Sequence, residues 1–291
     1  MAGIKEIRTR IASVTNTQKI TSAMKMVSAA KLRKAQQAVT RMRPYSEKLQ
    51  EILQNVSSGI ESNDGNPYAT VRNAEKVLII AVASNSGLCG GFNSNIAKAT
   101  IALLNGEYAG KQTTVYSIGK KAQEVLKSKQ VSVAKNFDYI YDELTFDNVA
   151  AIAGEIMSDF VAGSFDKVIM VYNSFKNAAT QIITEKQFLP IEQDPDTIAE
   201  KQNYSLDYIS EPSKEAIAID LIPRSLKTQF YSVLLDSYAS EHGARMTAMH
   251  KATDNAGEML HSLRIEYNKA RQSLITNEIL EIVSGANALK G

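Results

Sequence analysis

The residues best placed to do chemistry lie in one turn, Ser84-Asn-Ser-Gly-Leu-Cys-Gly-Gly-Phe-Asn93. It follows an apolar run, Lys76–Ala83, and precedes a helical pattern, which is where glycine-rich loops cradle phosphate on a helix N-terminus. The turn lacks both the Lys-Ser/Thr ending of a P-loop and the G-x-G-x-x-G spacing of a dinucleotide site. It therefore reads as a tight structural or contact turn. Cys89 is the only cysteine, so no intramolecular disulfide can form and a reducing compartment is expected. The three histidines, His242, His250 and His261, stand 8 and 11 residues apart near the C-terminus, far from Cys89. A Cys–His nucleophile has no base in the right place. No i,i+4 histidine pair puts two imidazoles on one helix face for a metal. The expectation is a non-catalytic chain without cofactor or metal.

The elements around this turn fall into three zones. The first, 1–56, contains no glycine after Gly3 and one proline, Pro44. Ile4, Ile7, Ile11 and Val14 follow a 3–4–3 spacing, and Ile20, Met24 and Val27 resume it in a shifted phase. That pattern predicts a long helix with an apolar seam and a local change of winding, bent at Pro44. The second zone, 57–211, opens with the polar stretch Ser57–Pro67 and then alternates strand and helix signals. Lys76–Ala83 reads as a strand covered on both faces. A helix near Asn93–Asn105 and a strand at Thr113–Ile118 complete a βαβ unit. Helices at Gly119–Lys129 and Phe146–Ala162 lead to strands at Lys167–Tyr172 and Gln181–Leu189, the last two as an antiparallel hairpin.

The third zone, 212–291, opens at Pro212, a favourable first-turn residue. Met246, Met249, Thr253, Ala256, Leu260, Leu263, Tyr267, Ala270 and Leu274 hold an unbroken 3–4 spacing. As a helix, Arg224 to Ser284 would span roughly 90 Å, far more than a compact domain needs. Its natural partner is the N-terminal helix, and two terminal helices joined to one small domain pair most simply in antiparallel. Gly243 and Gly257 each weaken a helix interior by about 1 kcal/mol, which close backbone approach in the coil would offset. The fold class is α/β: a long antiparallel coiled coil plus a small Rossmann-like α/β domain.

Charge narrows the partners. Residues 1–43 hold ten Lys/Arg against a single acid, Glu6, a net +9, while the rest of the chain carries −7. A basic helix beside an acidic remainder fits nucleic acid, anionic lipid or an acidic protein surface. Residues 1–43 contain no aromatic side chain, which weakens the alternative of a basic coiled-coil nucleic-acid-binding protein. A second alternative, a small enzyme with helical arms, would have to use the glycine turn as its site. The Arg-, Ser- and Thr-rich start could pass for a transit peptide, but the same pattern runs on well past the usual length. No run reaches the roughly 18 apolar residues of a spanning helix, so membrane association is expected through partners.

The motifs point further. Met1-Ala-Gly-Ile-Lys-Glu-Ile-Arg-Thr-Arg-Ile11, Thr17-Gln-Lys-Ile-Thr-Ser-Ala-Met-Lys-Met-Val27 and Ala29-Ala-Lys-Leu32 resemble the opening helix of F-type ATP synthase gamma subunits. Ser237–Met249, Ala252–Ala256, Tyr267–Gln272 and Ile275–Ala286 resemble the closing helix, and Gly87–Asn93 the family's central signature. The resemblance spans the whole chain and implies a rotary shaft inside a ring of alpha and beta subunits. Its further partners would be an epsilon subunit and the membrane rotor ring of c subunits. It implies no nucleic acid and a peripheral place on the cytoplasmic face of a bacterial membrane. By resemblance, Arg271, Gln272 and Thr276 match residues meeting a beta-subunit loop. Met24 and Lys25 lie at the shaft's waist, Cys89 sits in a contact turn, and Tyr208 and Glu211 match the foot on the rotor ring. The family's turn usually carries a charged pair where this chain has Asn85 and Ser86, which makes any contact there neutral. The paired-cysteine insert of chloroplast relatives is absent.

Overall fold

The computed structural model describes residues 3–57, 67–191 and 214–288. The elements in chain order are α1 (Ile4–Ser57), β1 (Lys76–Val82), α2 (Phe92–Asn105), β2 (Gln112–Ile118), α3 (Lys120–Ser128) and β3 (Lys135–Asn136). A 3₁₀ turn (Asp138–Tyr141), α4 (Phe146–Val161), β4 (Lys167–Phe175), β5 (Gln181–Leu189) and α5 (Lys214–Ala288) complete the order. The helices and strands expected from sequence are all present, with ends moved by a few residues. The two-residue β3 and the 3₁₀ turn are additions, too short to leave a periodic signal. Both long helices continue through a proline, Pro44 in α1 and Pro223 in α5. The described residues form two compact units, 29–245 and 3–28 with 246–288.

The first unit is built on a five-stranded sheet of order β3-β2-β1-β4-β5. Strands β1 to β4 run parallel, and β5 returns antiparallel to β4 as the expected hairpin. The central strand β1 shows why its sequence is an apolar run rather than an alternation: both faces are covered. Val77, Ile79 and Ala81 pack with Ile96 of α2 and Leu126 of α3. Leu78, Ile80 and Val82 pack on the other side with Ile156 and Phe160 of α4 and with Leu226, Phe230 and Leu234 of α5. The first part of α5 is therefore a layer of this domain's core. Gly119, at φ +97°, closes β2 onto α3; a Cβ there would lie 2.3 Å from the Ala83 carbonyl oxygen.

Gly243 belongs to this unit as well, and the expected reason for it is wrong. A Cβ at Gly243 would meet Ala178 Cα at 3.2 Å and the Phe175 ring at 3.3 Å. The glycine makes room for the β4–β5 hairpin turn rather than for the coil.

The second unit is the antiparallel coil. Arg8 Nη2 donates to Tyr267 OH at 3.0 Å, Thr253 Oγ1 donates to Thr21 Oγ1 at 2.8 Å, and Lys25 Nζ lies 3.5 Å from His250 Nδ1. The Gln18 amide covers Gly257, 3.3 Å from where a Cβ would stand. As the number on α1 rises, the number on α5 falls, which fixes the direction. Gly257 thus faces its coil partner, but what it meets is a side chain and not the close backbone approach expected.

The seam of α1 corrects the sequence reading. Its sheltered positions 4, 7, 11, 14, 18, 21, 25 and 28 keep one 3–4 spacing, which α1 carries on through 32, 35, 39, 42, 46 and 49. No shift of phase occurs. Polar Gln18, Thr21, Lys25 and Ser28 hold the seam, while Ile20 and Val27, which apolar spacing alone assigns to it, are exposed at 59% and 56%. On α5 the seam matches expectation from Met246 to Ala270, but Leu274 is exposed. The reason is length: Arg8 already sits against Tyr267, so α1 starts too late to cover residue 274.

Cysteines placed at Thr21 and Thr253, in a Cys89→Ser background, should oxidise within one chain, since their hydroxyls are 2.8 Å apart and disulfides need close Cβ atoms. Non-reducing electrophoresis showing only linked pairs of chains would contradict this pairing.

Candidate partner-contact surfaces

The glycine turn is tied down by residues distant in sequence. Ser84 N donates to Asn93 Oδ1 at 3.0 Å, which links the end of β1 to the start of α2. Asn85 Oδ1 accepts from Lys120 N at 3.0 Å, serving as a remote cap for α3, and Asn85 Nδ2 donates to the Asp138 carbonyl at 2.9 Å. Arg245 Nη2 reaches across from α5 to the carbonyls of Ser86 (3.0 Å) and Gly87 (3.3 Å). The turn thus offers its carbonyl oxygens to a guanidinium. Cys89 is buried with Phe92 and Ala244, and burial pushes its thiol above the ordinary range. Its neighbour Leu88 projects instead, 65% exposed at φ +62°, a conformation that leucine adopts only at some cost.

Behind the turn lies a buried ionic cluster on one face of α5. Arg245 Nη1 pairs with Glu241 Oε1 at 2.5 Å, with both side chains less than one-tenth exposed. Burial raises the Glu241 carboxyl, against the opposing pull of Arg245. The same guanidinium nitrogen lies 3.4 Å from His242 Nδ1. An arginine can only donate, so Nδ1 accepts and the ring's hydrogen sits on Nε2, which is buried with no hydrogen-bond partner among the described residues. Burial, then Arg245, lowers the His242 pKa to about 3. Tyr238 stands perpendicular to the imidazole at 4.4 Å and stacks on Tyr141 at 6.1 Å. Histidine spacing alone tests His242 only as a metal ligand; its i,i+3 relation to Arg245 is the sequence signal that marks this cluster.

In the coil unit, α5 runs alone among the described residues from Arg271 onward. Leu274, Ile275, Ile279, Leu280, Ile282 and Val283 are all between 45% and 71% exposed. Among the described residues, nothing covers them. No helix among these residues is long and apolar enough to cross a membrane.

A family model described as ATP synthase matches residues 3–289. The chain is 55% identical to the ATP synthase gamma chain of Christiangramia forsetii and 57% identical to that of Flavobacterium johnsoniae, each over the full length of both proteins. The chain belongs to the ATP synthase gamma-chain family. Its fold is shared with a chain of the Euglena gracilis mitochondrial ATP synthase OSCP/F1/c-ring structure. That match has a TM-score of 0.68 at 20% identity and covers 98% of this chain and 94% of that one. A chain of the Tetrahymena thermophila central stalk/c-ring structure matches at TM-score 0.58, covering 80% of this chain and 99% of that one.

The gamma-chain contact residues expected from the resemblance occupy different settings. Arg271, Gln272 and Thr276 are exposed on the lone stretch of α5, with Thr276 Oγ1 bonded back to the Gln272 carbonyl at 2.9 Å. Met24 and Lys25 are half-buried at the edge of the coil's seam. Cys89 is buried at 2% exposure; the turn's exposed side chains are Ser86 and the large apolar Leu88. Asn85 is engaged inside the chain rather than offered outward. Tyr208 and Glu211 lie outside the described residues.

The His242 imidazole gives a pH dependence with a definite sign. Its folded pKa of about 3 lies below the ordinary 6.5, so the unfolded chain takes up a proton first as pH falls. The stabilisation is fully present above about pH 6.5 and is lost on acidification towards pH 3, at about 1 kcal/mol per pH unit. Urea unfolding of the isolated chain at about pH 7 and pH 5 should show a loss of about 1–2 kcal/mol that His242→Gln removes. An equal loss in the variant would place the acid sensitivity elsewhere.

Proposed function

We propose that this chain is the central rotor shaft of an F-type ATP synthase, coupling ion-driven rotation of a membrane ring to ATP synthesis or hydrolysis elsewhere in the complex. Full-length identity above one half to bacterial gamma chains carries the reading. The shape of α5 supports it: a helix that leaves its coil partner and exposes a run of Leu, Ile and Val needs a sheath. A ring of alpha and beta subunits supplies one. An asymmetric coil inside it presents a different face to each beta subunit and biases each catalytic site towards a different conformation. The chain itself supplies geometry, with catalysis in its partners.

Within this reading, Arg271, Gln272 and Thr276 meet a beta-subunit loop, and Met24 and Lys25 meet the ring at the waist. Leu88 takes the contact assigned to the glycine turn. Tyr208 and Glu211 form the foot on the c-subunit ring, beside an epsilon subunit. The net +9 of residues 1–43 suits acidic lever segments of the beta subunits. The complex sits on the cytoplasmic face of a bacterial membrane, and this chain attaches through its partners. The sequence divides at 56/57 and 211/212, whereas the compact units divide α1 after Ser28 and α5 after Arg245.

Affinity purification of the tagged chain from its source cell should bring alpha, beta and epsilon subunits with it; recovery without them would sink the proposal. The two ends of the shaft should also differ in tolerance. A tip turning inside a pseudo-threefold ring cannot keep residue-specific contacts at every angle, whereas a foot that turns with its ring can. Removing residues 284–291 should leave most coupled ATP synthesis, while Tyr208→Ala with Glu211→Ala should lower ion pumping relative to ATP hydrolysis. Membranes with equal amounts of assembled complex allow the comparison, and the reverse pattern would exchange bearing and foot.

A further inference from the structure

Two contacts in the coil ask opposite things of one atom. Asp254 Oδ2 lies 3.2 Å from His250 Nδ1, one turn along α5, and Lys25 Nζ lies 3.5 Å from the same nitrogen across the coil. An imidazole nitrogen either carries a hydrogen or offers a lone pair. The carboxylate needs the hydrogen; the ammonium needs the lone pair. No single protonation state serves both.

We propose that His250 is a positioning residue for Lys25, its proton deciding whether the Lys25 ammonium is held to the coil or freed for an acidic partner. With the ring neutral and its hydrogen on Nε2, Nδ1 accepts from Lys25 and anchors it to α5. With the ring protonated, Nδ1–H donates to Asp254, and the imidazolium repels the ammonium. The stem of Lys25 stays half-buried on the seam while its head swings outward, as long cationic side chains do. Solvent reaches the device, since the His250 and Asp254 side chains are 56% and 60% exposed. The charged groups recorded against the imidazole are Lys25 from α1 and Asp254 from α5. Uptake of the proton makes the waist more positive and releases a cation there, so acidification strengthens contact with a carboxylate-bearing surface. The role rests on the reading of Lys25 as a partner contact.

Two measurements separate that reading from the proton device. In the full isolated chain, ¹⁵N NMR should find His250 Nδ1 without hydrogen in the neutral ring, and the Lys25 Nζ signal should move with the imidazole titration. An Nδ1 that keeps its hydrogen throughout, or a Lys25 signal indifferent to the ring, overturns the device. In sealed vesicles carrying the whole complex, ions pumped per ATP hydrolysed should be compared for the natural chain and His250→Gln between about pH 6 and pH 8. The ratio of the two should change by about two- to threefold, the range open to an exposed contact. Lys25→Met should abolish that change, because the group being held is gone. Parallel profiles for the natural chain and His250→Gln overturn the role in coupling. Should Lys25→Met alone leave coupling unaltered at every pH, the contact reading of Lys25 fails, while the NMR spectra still decide the device on their own.

Discussion

A helix of 75 residues needs cover for its apolar face, and α5 finds it in different ways along the chain until residue 270. Isolated helices draw little stability from their own hydrogen bonds; packing of the apolar face decides whether they form. Between residues 226 and 234 the cover is the sheet, with Phe230 and Leu234 fully buried. Between 246 and 270 it is α1. From 271 onward there is none among the described residues, although Ile, Leu and Val continue. This arrangement explains why the seam residues are mostly apolar where α5 meets α1, and why glycine appears at 243. There the β4–β5 hairpin turn comes within van der Waals distance of the helix backbone.

Between the sheet-packed and coil-packed stretches sits the Glu241–Arg245 pair. Taking two charges out of water is expensive, and a buried ion pair roughly breaks even only when its remaining donors are used. Arg245 meets that condition, since its second nitrogen binds the carbonyls of Ser86 and Gly87. The pair therefore does more than neutralise itself: it fastens the glycine turn to α5. With Asn85 holding the same turn to α3 and the 3₁₀ segment, Leu88 is presented from a fixed base. A strained, exposed leucine on a rigid mount fits a contact residue better than a mobile loop tip would.

The parts that sequence makes legible are those where one face of an element is apolar throughout. β1 has no alternation because both its sides are buried, and the α5 seam has a large or small apolar residue at nearly every position. Both are readable for that reason. The α1 waist is not, because the rule linking apolar spacing to burial fails there. Ile20 and Val27 point to solvent, while Gln18, Thr21, Lys25 and Ser28 line the pair. The burial of Cys89 escapes sequence for a related reason: position in an exposed turn says nothing about which way a side chain faces. The 3₁₀ segment and β3 depend on tertiary bonds to Asn85 and on pairing with β2, which local sequence does not encode.

The inverted pattern at the waist carries a physical meaning of its own. Polar residues in a coil seam lower its stability but fix its register, and the Thr21–Thr253 hydrogen bond is such a fixture. Meanwhile Ile20, Met26 and Val27 leave apolar surface outside the pair, which neither helix can use. Apolar surface turned outward and polar groups kept inward make this stretch weaker as a two-helix coil than the apolar stretches on either side of it. Whatever covers Ile20, Met26 and Val27 adds the missing burial, and binding to the folded coil alone then stabilises it by mass action. The stretch is thus held in register by threonines while its apolar side chains stay outside the helix pair.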